Sequence, residues 1–126
     1  MGHSLGAYFT IYAMNRNLNR QDSSFTGYIA ASPSTHYNNN YILSEIENQK
    51  SKINFSETKI YATFGGLEDD VTDSTELKSA QVLNRLEKGM NAHKIKFKGD
   101  IFSNLDHMDT AIPTFIKGLQ WLLEQN

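Results

Sequence analysis

Apolar residues recur along the chain with two different periods, and the changes between them divide it into helices and strands. A helix is predicted directly after the first four residues, because apolar positions repeat at i, i+3, i+4, i+7 and i+8 and would be buried on one face: Leu5, Tyr8, Phe9, Tyr12 and Ala13. Residues 15–24 are polar and predict a turn. Residues 27–32 form a short apolar run stopped by Pro33, which predicts a buried strand.

The middle of the chain predicts a second helix and a second strand. Residues 34–40 are typical of a loop, and its three asparagines would cap a surface helix over 41–52 with a thin apolar stripe: Ile42, Ile46 and Ile53. Residues 59–64 are β-branched and aromatic, and they predict a strand ended by Gly65 and Gly66. A polar, acidic loop follows over 67–72.

The last part of the chain predicts a helix, an edge strand and a final helix. Asp73 and Glu76 have the spacing of a capping box before a buried stripe that ends near Gly89: Leu77, Ala80, Leu83, Leu86 and Met90. Residues 94–98 alternate lysine with apolar residues, as a half-exposed edge strand does, and 99–109 would form a loop. The last helix should begin near Pro113 and bury one apolar face: Ile112, Phe115, Ile116, Leu119, Leu122 and Leu123.

This order of elements predicts the fold class. Strands that alternate with helices form parallel sheets with right-handed crossovers. We therefore expect an α/β fold with about three parallel strands flanked by helices, in a single domain over residues 1–126.

Composition and charge narrow the classes of function. The 126 residues are 39% hydrophobic and 21% charged, so the chain can bury a core. No run of 18 apolar residues occurs, and the formal net charge of −2 gives no electrostatic reason to expect nucleic acid or a membrane as partner. The chain has no cysteine, which excludes disulfides and thiolate sites and fits a cytoplasmic location.

The first residues carry the candidate chemistry. The sequence Gly2-His3-Ser4-Leu5-Gly6 matches the G-x-S-x-G nucleophile elbow, in which a serine stands on a sharp turn between a strand and a helix. Both glycines are expected to be needed, because a Cβ would crowd the neighbouring strand or helix. The N–H of Leu5 and the positive end of the helix dipole would stabilise an oxyanion beside Ser4. An ordinary glycine-rich turn is the alternative interpretation.

A nucleophilic serine needs a base, and four histidines are candidates. His107 lies in the loop after the last strand, at the sheet edge where Ser4 also lies, and it follows the Ser–acid–His order of α/β-hydrolases. His3 adjoins the serine and cannot easily fold back on it, and His36 follows a strand end. His93 precedes the edge strand and is expected at the surface.

The acid that orients the base is expected just past the strand ending at Phe64. Glu68, Asp69 and Asp70 all lie there, whereas Asp106 adjoins His107 and its side chain would diverge. Three consecutive acidic residues are also common in solvated loops, so the spacing alone leaves the acid open.

These motifs together resemble the C-terminal half of an α/β-hydrolase. The similarity is to the esterase-D-like group, which includes siderophore esterases, S-formylglutathione hydrolases and feruloyl esterases, and it runs over essentially the whole chain. It lies in four segments: 2–7 (GHSLGA), 31–34 (ASPS), 64–68 (FGGLE) and 106–107 (DH).

The resemblance implies a serine hydrolase that cleaves small-molecule carboxylic esters without a metal or other cofactor. Ser4 would be the nucleophile and His107 the base. In that group the acid commonly stands three residues after the glycine that ends its strand, which implies Glu68 here, with Asp70 and then Asp69 as alternatives. Substrate contacts are assigned to residues of the elbow, of the Ser-Pro-Ser segment and of the chain just after it: His3, Ser32, His36 and Tyr37.

The position of the elbow is unusual, because only Met1 precedes Gly2 whereas the fold delivers its serine from a buried strand. We expect residues 1–126 to be the C-terminal portion of a single α/β-hydrolase domain without its N-terminal strands, with reduced or no activity alone. A catalytically inactive fragment or a binding module is the alternative. The apolar strand over 28–32 would then expose one edge and favour self-association.

Overall fold

Four parallel strands form one sheet in the same order as they occur in the chain. The computed structural model describes residues 1–50, 55–71 and 73–124. The strands are β1 (Gly2–His3), β2 (Gly27–Ala31), β3 (Lys59–Gly65) and β4 (Lys96–Phe102). The helices between and after them are α1 (Leu5–Arg20), α2 (Tyr37–Glu47), α3 (Ser79–Ala92) and α4 (Ala111–Leu123), and a 3-10 turn (Gly66–Asp70) follows β3.

The predicted α/β class is confirmed, and the sheet has one strand more than the three expected. The additional strand is β1, which consists of only two residues and pairs with β2 through Gly2↔Ala30 and His3↔Ala31. A short segment of the strand that delivers Ser4 is therefore present, where the sequence predicted none. β2 and β3 pair from Gly27↔Lys59 to Ala31↔Thr63, and β3 and β4 from Lys59↔Lys96 to Gly65↔Phe102.

The main core lies on the sheet face that α1, α2 and α3 cover. Successive strand residues point to opposite faces, so every second residue of β2 and β3 contributes to this core. Its central members are almost fully buried: Ala7, Ile11, Met14, Ala30, Ile42, Leu43, Ile46, Ile60, Ala62, Leu86 and Met90.

Helix α4 covers the other face and packs through small residues. Thr114 and Gly118 are its buried residues, and a Cβ at Gly118 would lie 2.9 Å from side-chain atoms of Ile29 and Tyr61. The predicted apolar face of this helix is wrong in its outer part, because four of its members are exposed: Ile112, Ile116, Leu119 and Leu123. Close approach to the sheet requires the small residues, which leaves the apolar ones outside.

The predicted buried face of α1 is correct only in part, because Tyr8 and Tyr12 pack against the core but other residues of the helix are more deeply buried. The residues that meet the sheet are Ala7, Ile11, Met14 and Leu18, whereas Leu5 and Phe9 are exposed by more than 60%. The helix continues to Arg20, through residues whose polarity predicted a turn. Apolar residues lie on more than one side of α1, so spacing alone did not identify the side that faces the sheet.

The bounds of the other elements differ from the predictions by a few residues. Helix α2 spans Tyr37–Glu47, but residues 38–40 have left-handed backbone angles, so its right-handed part begins near the predicted residue 41 and ends before the predicted residue 52. The predicted stripe residue Ile53 lies outside the described residues. Helix α3 begins at Ser79, and Asp73 caps a local turn through the N–H of Thr75 instead. β4 runs to Phe102, into the region predicted as a loop.

His93 differs from its prediction as well. It is 6% exposed, and its Nδ1 has no hydrogen-bond partner among the described residues. The residue follows α3 at its C-terminal end, where Met90 and Ile95 on either side are also buried. Its surroundings are therefore those of a core residue rather than of a surface histidine.

Candidate active site

The serine of the G-x-S-x-G segment stands on a strained turn between β1 and α1. Ser4 has φ 58° and ψ −118°, a conformation that non-glycine residues rarely adopt. Its N–H donates to the carbonyl oxygen of Ala31 at 2.9 Å, which ties the turn to the end of β2. Helix α1 begins at the next residue, so the N–H of Leu5 belongs to the first turn and has no acceptor within the helix.

The two glycines of the segment differ in what they require. A Cβ at Gly2 would lie 2.3 Å from the carbonyl carbon and oxygen of Gly6, so only glycine fits at position 2. A Cβ at Gly6 would meet nothing within 4 Å. The expectation that both glycines are sterically needed is therefore wrong for Gly6.

Ser4, His107 and Glu68 form a continuous hydrogen-bonded chain. The Oγ of Ser4 lies 2.9 Å from Nε2 of His107, and Nδ1 of His107 lies 2.7 Å from Oε1 of Glu68. The Glu68 side chain is 12% exposed and that of His107 is 40% exposed. A carboxylate can only accept, so Nδ1 carries the proton and Nε2 is free to accept the hydroxyl hydrogen of Ser4.

The second carboxylate oxygen of Glu68 is held by the protein. Oε2 accepts hydrogen bonds from the N–H of Gly65 at 2.6 Å and from the hydroxyl of Ser32 at 2.7 Å. The backbone bond follows from the 3-10 turn, which brings the residue three after Gly65 back over the end of β3. The position of Glu68 in the chain thus fixes one of its contacts.

The alternative acids do not reach His107 by the described contacts. Asp69 accepts from the N–H and hydroxyl of Ser79 at 2.9 and 2.8 Å, at the start of α3. Asp70 is exposed. Asp106 accepts from the N–H of Met108 at 2.9 Å within its own loop.

Ser4 and His107 follow opposite edge strands, so the loop after β4 must cross the ends of β3 and β2. Strands lie about 4.8 Å apart, and three steps make about 14 Å. A Cβ at Gly65 would lie 2.2 Å from the carbonyl oxygen of Leu105, and one at Gly66 would lie 2.8 Å from Cα of Ser103. The paired glycines therefore allow the loop to cross close to the sheet.

Two residues assigned to substrate contacts make hydrogen bonds within the protein, and one of them, Ser32, also lines the cleft beside Ser4. The Nε2 of His3 lies 2.6 Å from the carbonyl oxygen of His107, and the two rings are 5.0 Å apart. Ser32 is 1% exposed, and its hydroxyl bonds Glu68 and Thr110. The polar side-chain atoms of both residues are thus engaged with other parts of the protein.

A cleft of about 400 Å³ opens beside Ser4 and His107. Of the other residues assigned to substrate, His36 lines the cleft. Asn40, which was not assigned to substrate, lines it as well. Tyr37 is not among the lining residues, and its ring makes an edge contact with Tyr8 at 5.5 Å. The cleft is thus framed by the segment after β2, the turn after β3 and the start of α3.

Two site residues were not identified from the sequence. Ser34 lies 3.3 Å from Ser4, hydroxyl to hydroxyl, and the Ser-Pro-Ser segment was a signal that could have pointed to it. Thr110 is fully buried and bonds Ser32 across 78 residues of chain, and no local pattern marks such a contact.

The described residues offer neither a cluster of metal ligands nor a membrane-spanning helix. Residues 1–50, 55–71 and 73–124 contain no group of three or more histidine or acidic side chains arranged to hold a metal ion. In the same ranges, no helix combines the length and apolar character needed to cross a membrane.

Comparison with known proteins relates the fold to solved hydrolases. No protein-family model and no curated protein sequence matches the chain. The structure is similar to the siderophore hydrolase EstA from Aspergillus nidulans, with a TM-score of 0.65 and 22% identity over 97% of this chain and 46% of that one. It is also similar to siderophore hydrolase EstB from Aspergillus nidulans, with a TM-score of 0.56 and 22% identity over 99% and 49%. The chain thus spans about half the length of these proteins and shares their α/β fold.

Proposed function

We propose that the chain carries the nucleophile, base and acid of a serine hydrolase that acts on small-molecule carboxylic esters. The observation that carries the proposal is the hydrogen-bonded chain from Ser4 through His107 to Glu68, with a serine on a strained turn at the start of a helix. The similarity of the chain in fold to two siderophore hydrolases supports the assignment to the hydrolase class. The esterase-D-like subgroup and a cytoplasmic location are parts of the proposal.

The contacts support a two-step mechanism. Ser4 Oγ attacks the ester carbonyl carbon while its proton moves to Nε2 of His107, and Glu68 stabilises the resulting imidazolium. The tetrahedral oxyanion would be held by the N–H of Leu5 and the positive end of α1. Its collapse expels the alcohol, which takes the proton from His107 and leaves an acyl group on Ser4.

Water completes the cycle in the second step. His107 takes a proton from water, the hydroxide adds to the acyl carbon, and the acid leaves as Ser4 regains its proton. Every transferred proton passes through Nε2 of His107, so the proposed steps do not require a metal or another cofactor.

A second candidate is a catalytically inactive fragment or a binding module. It is favoured by exposed apolar residues next to the elbow, such as Leu5 and Phe9. In α/β-hydrolases one oxyanion donor comes from a loop after an early strand, and Leu5 supplies only the other.

Labelling with a fluorophosphonate separates the two candidates, because only an activated serine reacts readily. We expect the folded chain to be labelled at Ser4, and both Ser4→Ala and heat-unfolded protein to remain unlabelled. Hydrolysis of p-nitrophenyl acetate by Ser4→Ala, His107→Ala and the double variant should fall by similar factors, since residues that act as a unit are non-additive. Absent labelling would favour the inactive candidate, and additive losses would separate Ser4 from His107.

A further inference from the structure

Behind Glu68, two buried hydroxyl groups continue the hydrogen-bonded chain into the protein. Ser32 Oγ lies 2.7 Å from Oε2 of Glu68, and Thr110 Oγ1 lies 2.6 Å from Ser32 Oγ. Ser32 is 1% exposed and Thr110 is 0% exposed, so water does not compete for these bonds. The hydrogen bond between these two hydroxyl groups links the residue after β2 to the residue before α4.

The direction of each hydrogen bond follows from the number of hydrogens available. The carboxylate of Glu68 can only accept, so the single hydroxyl hydrogen of Ser32 points at Oε2. The hydrogen between Ser32 and Thr110 must therefore come from Thr110. The other contact of this hydroxyl, to the carbonyl oxygen of His107, is long at 3.4 Å.

Thr110 is itself held from the opposite side. Thr114 donates its hydroxyl hydrogen to the carbonyl oxygen of Thr110 at 2.5 Å, and Thr63 Oγ1 lies 2.6 Å from Thr114 Oγ1. Since the hydrogen of Thr114 is committed, Thr63 donates to it. Both residues are 0% exposed, and by the described contacts their hydroxyl groups reach the backbone carbonyl group of Thr110 and not its side chain.

We propose that Thr110, acting through Ser32, is a positioning residue that sets the orientation of the Glu68 carboxylate toward His107. The inference rests on the proposed function, which gives that orientation its purpose. When Thr110 donates to Ser32, it occupies one lone pair of the Ser32 hydroxyl, and the hydroxyl hydrogen of Ser32 is directed at Oε2. Oε1 is then presented to Nδ1 of His107, which keeps Nε2 free for Ser4.

Three variants separate the hydroxyl of Thr110 from its shape. Thr110→Val removes the hydroxyl and keeps the volume, and Thr110→Ser keeps the hydroxyl and removes the methyl group. Thr63→Val is the matched control, because it deletes another fully buried hydroxyl of the same cluster that does not contact Ser32 or Glu68.

The first readout is the rate of fluorophosphonate labelling at Ser4 in the full chain. We expect Thr110→Val to slow labelling about tenfold, less than the 10²–10⁴ typical of losing a general base. The labelling rates of Thr110→Ser and Thr63→Val should stay within about twofold of the parent rate, a change much smaller than the loss of a general base causes. Equal rates for Thr110→Val and Thr63→Val, or an equal loss for Thr110→Ser, would overturn the proposal.

The second readout does not depend on catalysis. The proton between Nδ1 of His107 and Glu68 should give a downfield proton NMR signal, assigned with 15N-labelled histidine. We expect Thr110→Val to shift or broaden it and Thr63→Val to leave it unchanged. If the parent chain is not labelled at all, the proposed function fails, and this signal alone decides the positioning role: an unchanged signal in Thr110→Val overturns it.

Discussion

His3 donates a hydrogen bond from Nε2 to the backbone carbonyl oxygen of His107 at 2.6 Å, across 104 residues of chain. The residue beside Ser4 therefore holds the loop that carries His107. Because β1 and β4 are opposite edge strands, this contact closes the site across the width of the sheet.

We expect the loss of this donor to weaken the contact between Ser4 and His107. His3→Phe keeps a ring against His107 and removes the hydrogen bond, so fluorophosphonate labelling should slow about fivefold, equivalent to about 1 kcal/mol. His3→Gln is the control, because its amide can donate to the same carbonyl group. Equal labelling of His3→Phe and the parent would show that the contact does not position His107.

The strained backbone of Ser4 should cost stability. Left-handed strain at a non-glycine residue costs about 1–3 kcal/mol, whereas glycine loses about 0.5–1 kcal/mol through its greater freedom in the unfolded chain. Ser4→Gly should therefore be more stable than Ser4→Ala by about 1 kcal/mol, measured by urea unfolding. Both variants lack the hydroxyl, so a higher stability of Ser4→Ala would show that the turn is not strained.

The two glycines of the elbow should respond oppositely to alanine. Gly2→Ala would place a Cβ against the carbonyl group of Gly6, so we expect a large loss of stability and of labelling at Ser4. Gly6→Ala meets open space within α1 and should stabilise the chain by up to about 1 kcal/mol. Thermal unfolding of both variants checks the prediction, and a loss of stability in Gly6→Ala would contradict it.

Tyr61 should make the chain less stable at high pH. Burial, followed by its hydrogen bond to Asp100 at 2.5 Å, raises the pKa of Tyr61 well above its usual value. The folded state therefore holds this proton more tightly than the unfolded state. The resulting stability is fully present below about pH 10 and is lost as the pH rises toward the folded pKa.

The variant Tyr61→Phe removes this titration while the ring remains in place. Its free energy of unfolding should decline less between pH 9 and 11 than that of the parent, as measured by urea titrations at each pH. A parallel decline in both proteins would show that Tyr61 does not contribute to alkaline unfolding.

The chain should self-associate through its exposed apolar surface and sheet edge. Among the described residues, β2 pairs with β1 only at Ala30 and Ala31, which leaves the first part of β2 without a partner on that side. Exposed residues on α4 such as Ile112 and Ile116 add apolar area. We expect oligomers in sedimentation velocity at micromolar concentration.

A matched pair of variants locates the surface responsible. Ile116→Lys adds a charge on the apolar side of α4 and should reduce association. Phe25→Lys adds the same charge at an exposed apolar residue after α1 and should change it less. A monomeric parent chain, or equal effects of the two variants, would contradict a role for α4.

The sequence was sufficient where local chemistry determines the structure. The alternation of elements predicted the α/β sheet, and the run of residues after Phe64 predicted a turn that carries acidic residues. The separate step from three acids to Glu68 came from a family resemblance. The structure adds a reason, because the third residue of that turn reaches back to the N–H of Gly65.

The sequence was insufficient to predict which side of a helix faces the sheet where more than one side carries apolar residues. Helices α1 and α4 both carry apolar residues on more than one side, and the side that meets the sheet is decided by close approach at residues such as Ala7 and Gly118. Contacts between distant residues, such as Ser32 with Thr110, leave no periodic signal at all.

The placement of Ser4 and His107 on opposite edge strands makes the site sensitive to the coiling of the whole sheet. Neighbouring strands are rotated by about 20–25°, so the three steps from β1 to β4 accumulate about 60–75°. A small change in rotation at each step would add up across the sheet and alter the reach of the crossing loop. A polypeptide that paired with the open side of β2 and changed this rotation would thus change the distance between Ser4 and His107 without contacting either residue.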